Sequence, residues 1–317
     1  MNYRVLGRTG IKVSEIAFGC VEIGMPYGIG VKEMADMPAE KECLKMLRAA
    51  LDAGINFYDT ARLYGRSENI LGRAFRDQRE KVVISTKCKH LPASADALKE
   101  SGLIRDIIRT SLDESLSALQ TDYIDLFMLH NAAIEILENE TVCDTFAQLK
   151  KMGVVRAIGV STYRIEETGK AIDSGIWDSI QLPFNLMDQS QHVLFKKADE
   201  AGVGIVIRSV LLKGILSDRG AQLHPELRDV ESHRKLYDEL LDDDIPALPM
   251  LATKFALSFS NISSVLVGID REAYLKDALK AADGRYLEAH RLRRARELAY
   301  PEPEFLNLPE WDRKGWL

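Results

Sequence analysis

The chain has 317 residues and a mass of 35.6 kDa, with 46% hydrophobic and 28% charged residues, which is typical of a folded globular protein with a large core. It carries 42 Lys and Arg against 48 Asp and Glu, and the net charge of −6 excludes the basic footprint of a duplex-binding protein. No apolar run approaches the roughly 20 residues that span a bilayer, and the four cysteines form no C-x-x-C pair.

These features give the first expectations about partners and location. Cysteines without close spacing are typical of reduced thiols, so we expect a cytoplasmic protein with no signal peptide. The histidines show no spacing typical of metal ligands on a helix, so we expect no metal. We also expect neither a nucleic-acid partner nor a membrane partner.

The first predicted element is a short β-hairpin over residues 2–14. Residues 3–6 and 11–13 form its strands, and residues 7–10 (GRTG) form its turn. A hairpin of this kind would close the lower end of a barrel. A loop rich in Gly and Met follows at 21–37, after the first main strand.

Beyond the hairpin, short apolar strands alternate with amphipathic helices. Wholly apolar stretches such as 82–84 and 265–267 are typical of strands that are buried on both faces. Eight strands are predicted, at 15–18, 55–59, 82–87, 123–130, 154–161, 179–182, 204–209 and 264–268. Seven helices are predicted, at 40–53, 68–76, 102–119, 138–151, 164–174, 191–201 and 271–282.

Alternation of this kind predicts an α/β fold, specifically a (β/α)8 TIM barrel. The alternative is an open doubly wound sheet, which usually carries G-x-G-x-x-G after its first strand when it binds a dinucleotide. The motif Gly28-Ile29-Gly30 lacks the third glycine, and no clear strand precedes it. We therefore predict one barrel domain over 1–317, with a C-terminal helix and tail at 283–317.

Ionisable residues end three successive predicted strands. Asp59, Lys87 and His130 occupy these ends, and Tyr64 follows Asp59 in the next loop. Taken singly, each has a structural explanation: a turn cap, a lysine reaching solvent, a satisfied core histidine and a packed tyrosine. Because barrel active sites lie at the C-terminal ends of the strands, the coincidence favours one shared site.

A tyrosine beside a lysine is a recognisable acid–base unit. A phenol has a pKa of about 10, and a neighbouring ammonium would lower that pKa by stabilising the phenolate. Asp59 would orient Lys87, and His130 would donate a hydrogen bond to a carbonyl oxygen. No side chain supplies hydride, so reduction of that carbonyl requires a cofactor. A Schiff-base lyase with Lys87 as nucleophile is an alternative, which pairing with Asp59 would oppose.

Several motifs resemble those of the aldo-keto reductase family. Residues 55–65 (INFYDTARLYG), with Ser67-Glu68 and Gly72, resemble its signature, residues 6–14 resemble its hairpin, and residues 158–161 resemble its fifth strand. The resemblance extends from residue 3 to about 282 and implies a barrel that binds NADP(H) in extended form without metal. It also implies that Asp59, Tyr64, Lys87 and His130 are catalytic, with Tyr64 as proton donor and His130 favouring reduction of C=O over C=C.

The resemblance also implies a cofactor site, in which some residues differ from the family pattern. Ser161 and Gln181 match residues that hold the nicotinamide carboxamide, but Thr162 replaces the usual asparagine. Arg208 stands where many members stack an aromatic ring on the nicotinamide, and its planar guanidinium can also stack. The implied cofactor contacts are Ser161, Thr162, Gln181, Arg208, Ser209, Leu211, Gly268, Asp270, Arg271 and Lys276.

The residues at the adenosine end leave the cofactor type open. Arg271 and Lys276 offer positive charge for a 2′-phosphate at a helix N-terminus. Asp270 would repel a phosphate or bond a ribose hydroxyl, and Tyr274 and Ala278 replace residues that frequently contact the nucleotide. The family favours NADP(H), and NAD(H) remains possible.

The leading hypothesis is an NAD(P)(H)-dependent oxidoreductase (EC 1.1.1.-) that interconverts an aldehyde or ketone with an alcohol. Glu22, Tyr27 and Asn131 could bond a polar small-molecule carbonyl, such as a sugar. The alternative is a cofactor-sensing regulatory subunit, because potassium-channel β subunits resemble this family and keep the four residues. The chain would be a monomer or a homo-oligomer.

Overall fold

The computed structural model describes residues 1–92 and 94–317 and contains a closed barrel of eight parallel strands in the order β10-β3-β4-β5-β6-β7-β8-β9. This confirms the predicted (β/α)8 barrel. The strand bounds are β1 Tyr3–Val5, β2 Lys12–Ser14, β3 Ile16–Gly19, β4 Phe57–Asp59, β5 Val83–Lys87, β6 Ile124–Leu129, β7 Val155–Ser161, β8 Ser179–Pro183, β9 Gly204–Arg208 and β10 Ile262–Gly268.

Helices surround the barrel, and all seven predicted ones form, with residues 191–201 split into a 3₁₀ turn at Ser190–Leu194 and a short α-helix. The described residues form fourteen α-helices: α1 Val21–Gly24, α2 Glu40–Asp52, α3 Ser67–Phe75, α4 Ala95–Leu98, α5 Ser101–Leu119, α6 Ile134–Leu137, α7 Glu140–Lys151, α8 Ile165–Asp173, α9 Phe195–Glu200, α10 Arg228–Arg234, α11 Leu248–Leu257, α12 Glu272–Ala281, α13 Ala289–Glu297 and α14 Leu308–Arg313. None of them is long and apolar enough to cross a membrane.

The sequence missed α11, which lies between β9 and β10. Eight of its ten residues are buried, including Thr253 and Lys254. A helix that is buried on nearly every side has no polar face, so the apolar spacing of 3.6 residues that reveals a surface helix is absent. Helices α13 and α14 lie in the predicted C-terminal segment, where Trp311 is buried.

The N-terminal hairpin forms as predicted and closes the lower end of the barrel. Strands β1 and β2 pair antiparallel, and Leu6, Ile11 and Val13 are buried among the side chains that fill the barrel interior. The turn contacts the start of β9, where Arg8 N–H donates to Gly202 O at 2.7 Å. The hairpin therefore seals the N-terminal ends of the strands and leaves their C-terminal ends for a site.

Replacement of Gly7 by Ala is expected to lower the free energy of unfolding by at least about 2 kcal/mol. Gly7 has φ +50°, and a Cβ there would lie 2.4 Å from Gly204 N and 2.5 Å from Gly202 O. Gly10 is the matched control, because it has φ +72° and no atom within 4 Å of an added Cβ. Gly10→Ala should therefore cost only the backbone strain, about 1 kcal/mol. Equal urea midpoints for the two variants would contradict the close contact.

Candidate active site

The side-chain alternation of the strands brings three predicted residues to one place. Phe57, Val83, Leu126 and Met128 point into the barrel interior. Because strand side chains alternate with a period of two, Asp59, Lys87 and His130 follow on the same inward face. They therefore converge at the C-terminal rim, as the sequence predicted from their positions.

The loop after β4 adds Tyr64, and a buried network positions that loop. Arg62 N–H donates to Lys87 O at 3.1 Å, and the Arg62 guanidinium pairs with the carboxylate of Glu68. Glu68 is buried in α3 and accepts from Thr86 Oγ1 at 2.6 Å. Glu68, which the family signature includes, thus links the loop that carries Tyr64 to the strand that carries Lys87.

The four side chains lie within contact range of one another. Lys87 Nζ is 2.6 Å from Asp59 Oδ2 and 3.0 Å from Thr60 O. The same ammonium is 5.0 Å from the centroid of the Tyr64 ring. The rings of Tyr64 and His130 meet edge to face, with centroids 5.6 Å apart. The structure therefore assembles a phenol, an ammonium, a carboxylate and an imidazole at one rim.

The Lys87–Asp59 pair is almost completely removed from solvent. The side chains are 1% and 5% exposed, and Gln181 Nε2 donates to the second oxygen of Asp59 at 2.8 Å. A buried charge pair is tolerated when each charge has hydrogen-bonded partners, as here. The carboxylate of Asp59 lies directly against Lys87 Nζ, and this pairing opposes the Schiff-base alternative, which needs that amine as a free nucleophile.

The pKa of Tyr64 differs in direction from the sequence-based expectation. Burial raises this pKa strongly, and the negative charge of Asp59 raises it further, whereas Arg208 lowers it. The expectation considered the ammonium alone, but the adjacent carboxylate offsets its charge. Tyr64 is therefore a neutral phenol around neutral pH, the form that can donate a proton.

His130 is a neutral imidazole in this site. Burial lowers its pKa to about 2, and the charges of Lys87 and His90 add to the effect. Within the described residues its Nδ1 atom is buried without a hydrogen-bond partner. His90, which the sequence analysis did not assign, packs edge to face on His130 with centroids 4.7 Å apart. A neutral imidazole can still donate one hydrogen bond.

A cavity of about 700 Å³ extends from Asp59, Tyr64 and His130 to the end of β10 and the start of α12. This volume lies within the usual range for small-molecule sites. Most of the residues implied as cofactor contacts border it: Gln181, Arg208, Ser209, Leu211, Gly268 and Asp270. The cavity is also bordered by Glu22 and Tyr27, which were proposed for the substrate.

The other implied contacts lie elsewhere. Ser161 and Thr162 are buried beside the cavity without bordering it, and Thr162 Oγ1 is 2.7 Å from Thr168 Oγ1. Arg271 borders a second cavity, of about 450 Å³. Lys276 borders neither cavity and pairs with Glu272 on the surface. Asn131 also lies outside, and its side-chain oxygen accepts from Leu91 N at 3.3 Å.

Arg208 is held by a partner that the sequence analysis missed. Its guanidinium carbon lies 4.0 Å from the centroid of the Tyr163 ring, and Nη2 donates to Thr162 O at 2.8 Å. Its Nε atom is buried with no hydrogen-bond partner within residues 1–92 and 94–317. The aromatic residue directly after Ser161-Thr162 was the available sequence signal for this stacked wall.

A strap formed by residues 209–220 borders the cavity, and it contains Ser209 and Leu211, which the resemblance implied as cofactor contacts. Ser209, Leu212 and Lys213 have positive φ angles between 47° and 58°, so the strap is a tight, irregular backbone. The ammonium of Lys213 pairs with Asp312 of α14 and lies 5.1 Å from the centroid of the Tyr27 ring. These contacts join segments far apart in sequence, so no local pattern indicates them.

A nicotinamide dinucleotide fits the residues of this cavity. Among the described residues, four buried polar atoms without a hydrogen-bond partner belong to residues that border it: Glu22 Oε2, His130 Nδ1, Arg208 Nε and Arg234 Nε. Such atoms cost free energy unless a ligand or water satisfies them. No cluster of three His, Cys, Asp or Glu that could hold a metal occurs in the part of the chain that the structure describes.

Comparisons with known proteins show which family the chain is similar to. The sequence model of the Aldo/keto reductase family matches residues 15–298. The chain is 29% identical to L-galactose dehydrogenase of Arabidopsis thaliana over 88% of this chain and 87% of that protein. It is 27% identical to a probable voltage-gated potassium channel subunit beta of the same plant, over 89% and 92%. The holo form of aldo-keto reductase AKR11C1 from Bacillus halodurans superposes with a TM-score of 0.77 at 27% identity, over 94% of this chain and 96% of that one.

The match over most of the chain defines the class of protein. The chain belongs to the aldo/keto reductase family, as its motifs indicated. It is an oxidoreductase of the carbonyl–alcohol type, and the family uses nicotinamide cofactors.

Proposed function

We propose that the chain is an NAD(P)(H)-dependent reductase or alcohol dehydrogenase (EC 1.1.1.-) in which Tyr64 exchanges a proton with the substrate oxygen. The observation that carries this proposal is the contact of the Tyr64 ring with both Lys87 and His130 at one end of the cavity. We infer that Asp59, Tyr64, Lys87 and His130 are the catalytic residues.

Each side chain has a defined part in carbonyl reduction. The neutral Tyr64 phenol donates its proton to the carbonyl oxygen, and the nearby Lys87 ammonium stabilises the phenolate that remains. Asp59 holds that ammonium in position through a hydrogen bond of 2.6 Å. His130, also neutral, donates a hydrogen bond that orients the carbonyl oxygen. The nicotinamide, when bound, supplies the hydride.

The cofactor preference is a finer part of the proposal. The family resemblance favours NADP(H), and the guanidinium groups of Arg219 and Arg271 are available near the end of the cavity. Both already pair with Asp270, at 3.1 and 3.3 Å. This carboxylate beside a 2′-phosphate would weaken NADP(H) binding, so NAD(H) is the alternative.

The proposed substrate is a small polar carbonyl or a sugar. The phenol of Tyr27 and the carboxyl of Glu22 border the cavity, where they can hydrogen-bond hydroxyl groups. Asn131 stays a candidate at the rim. The relative named L-galactose dehydrogenase supports a sugar substrate.

Titration with NADPH and NADH, followed by protein fluorescence, tests this function. We expect quenching by both, with NADPH binding more tightly, and turnover of at least one aldehyde, ketone or sugar in a substrate panel with the preferred cofactor. Absence of binding by either dinucleotide would contradict the proposal. Tighter binding of NADH would overturn only the preference.

The similarity to a potassium channel subunit beta supports a second candidate, a cofactor-sensing regulatory subunit. A tetramer that binds NADPH but gives negligible multiple turnover on a broad aldehyde panel would favour it. Steady turnover would favour the enzyme.

A further inference from the structure

Glu22 is a half-buried carboxyl group in the cavity that the proposed proton transfer does not use. It lies in α1, directly after β3, and it borders the cavity. Its Oε1 atom occupies the space beside Gly268, only 2.1 Å from where a Cβ would stand. Its Oε2 atom is buried and has no hydrogen-bond partner among the residues described. An unsatisfied carboxyl oxygen at this place indicates a missing ligand.

The position of Glu22 along the cavity indicates which part of a ligand it meets. Strand register places Gly268 beside Gly19 and Gly19 beside Asp59 on the same rim. Asp270, in the region proposed for adenosine, follows Gly268 by two residues and also borders the cavity. Because its carboxyl lies against Gly268, Glu22 borders the stretch of the cavity between Asp59 and Asp270.

We propose that Glu22, as a neutral carboxylic acid, donates a hydrogen bond to the diphosphate of the bound dinucleotide. The inference rests on the proposed function, because it needs a nicotinamide dinucleotide in this cavity. The diphosphate is the middle of such a molecule and accepts hydrogen bonds through its oxygens. An ionised carboxylate at the same place would repel it, so only the acid form supports binding.

The surroundings of Glu22 favour the acid form around neutral pH. Burial raises the pKa of Glu22 to about 8, and Asp270 and Asp59 raise it as well, whereas a hydrogen bond from its own backbone N–H and the charge of Arg219 lower it. The other titratable groups that face it, Cys20, Tyr27 and Tyr64, have pKa values raised above this range. Among these four groups, Glu22 is therefore the one that we expect to titrate between neutral and moderately alkaline pH.

Because the bound dinucleotide requires the protonated form of Glu22, its affinity should decrease as the pH rises. Below pH 8 the carboxyl is protonated and can donate, so binding is at full strength. As the pH rises further, the Glu22 carboxyl of the free protein loses its proton, and the protein must take up a proton again when the dinucleotide binds. The dissociation constant should then rise by up to about tenfold per pH unit.

The test is the dissociation constant of NADH, measured by fluorescence from pH 6.5 to 9.5 for wild type and Glu22→Gln. NADH is the probe because it lacks a 2′-phosphate, whose own titration near pH 6 would complicate the profile. We expect the wild-type affinity to fall at least fivefold above pH 8 and the Gln variant, which stays neutral, to give a flat profile. Glu135→Gln, at an exposed carboxylate on the same rim, should keep the wild-type profile.

The outcomes separate this inference from the function on which it rests. A flat wild-type profile, or an identical fall in wild type and Glu22→Gln, would overturn the role of Glu22 while leaving the dinucleotide site intact. A Gln variant with a changed substrate KM and an unchanged NADH profile would also overturn it, by assigning Glu22 to the substrate. No dinucleotide binding at any pH would overturn the proposed function as well. An unchanged thermal midpoint for Glu22→Gln confirms that the comparison is between folded proteins.

Discussion

Tyr64→Phe is expected to lower kcat for carbonyl reduction by at least about 10²-fold and up to about 10⁴-fold, the usual contribution of a general acid. The ring stays, so its edge-to-face contact with His130 and its contact with Lys87 should persist. Only the hydroxyl that carries the proton is lost. Cofactor affinity should therefore stay close to that of wild type, as measured by titration with NADPH.

Tyr123→Phe is the matched control for this prediction. Tyr123 precedes β6 at the opposite end of the barrel, where its ring lies 4.1 Å from the guanidinium carbon of Arg79. The control should retain full turnover. Undiminished turnover by Tyr64→Phe would remove Tyr64 from the role of acid, and loss of cofactor binding would show that the variant does more than delete a proton donor.

Lys87→Met is expected to reduce both activity and stability. It removes the ammonium that stabilises the Tyr64 phenolate, so kcat should fall by at least about 10²-fold. It also leaves the carboxylate of Asp59 buried without its charged partner at 2.6 Å. Breaking a buried pair on one side typically costs about 3–5 kcal/mol of unfolding free energy. Urea unfolding and steady-state kinetics measure the two effects.

A double variant separates the two effects of that change. Asp59→Asn combined with Lys87→Met removes both charges, so it should recover part of the lost stability and none of the activity. Lys89→Met is the control, because Lys89 is 43% exposed and pairs with the surface residue Glu114. It should change stability only slightly. Recovery of activity in the double variant would show that the pair acts structurally rather than on the phenol.

The meeting of Asp59, Lys87 and His130 at one rim was predictable because it depends on strand periodicity. Asp59, Lys87 and His130 each end a strand that apolar composition makes visible, and strands in a barrel share one rim. The same reasoning found Tyr64, whose loop is short. It failed for α11, which is buried on nearly every side and so lacks a polar face.

Electrostatic details were less predictable. The expected lowering of the Tyr64 pKa considered one neighbour, whereas burial and Asp59 act in the opposite direction. Glu22 was predicted as a polar group for substrate, but its place beside Gly268 depends on the closure of β10 against β3. Desolvation depends on everything that packs around a group, which no sequence window contains.

The sequence by itself determined the eightfold alternation, the hairpin that seals the lower rim, and the family, because periodicity and motifs are local properties of the chain. Only the tertiary structure decided which distant residues meet across the cavity, such as Lys213 with Asp312 and Arg219 with Asp270. It also decided which ionisable groups are buried enough to hold their protons. Contacts between segments many residues apart are fixed by barrel closure and packing, and these leave no regular pattern along the chain.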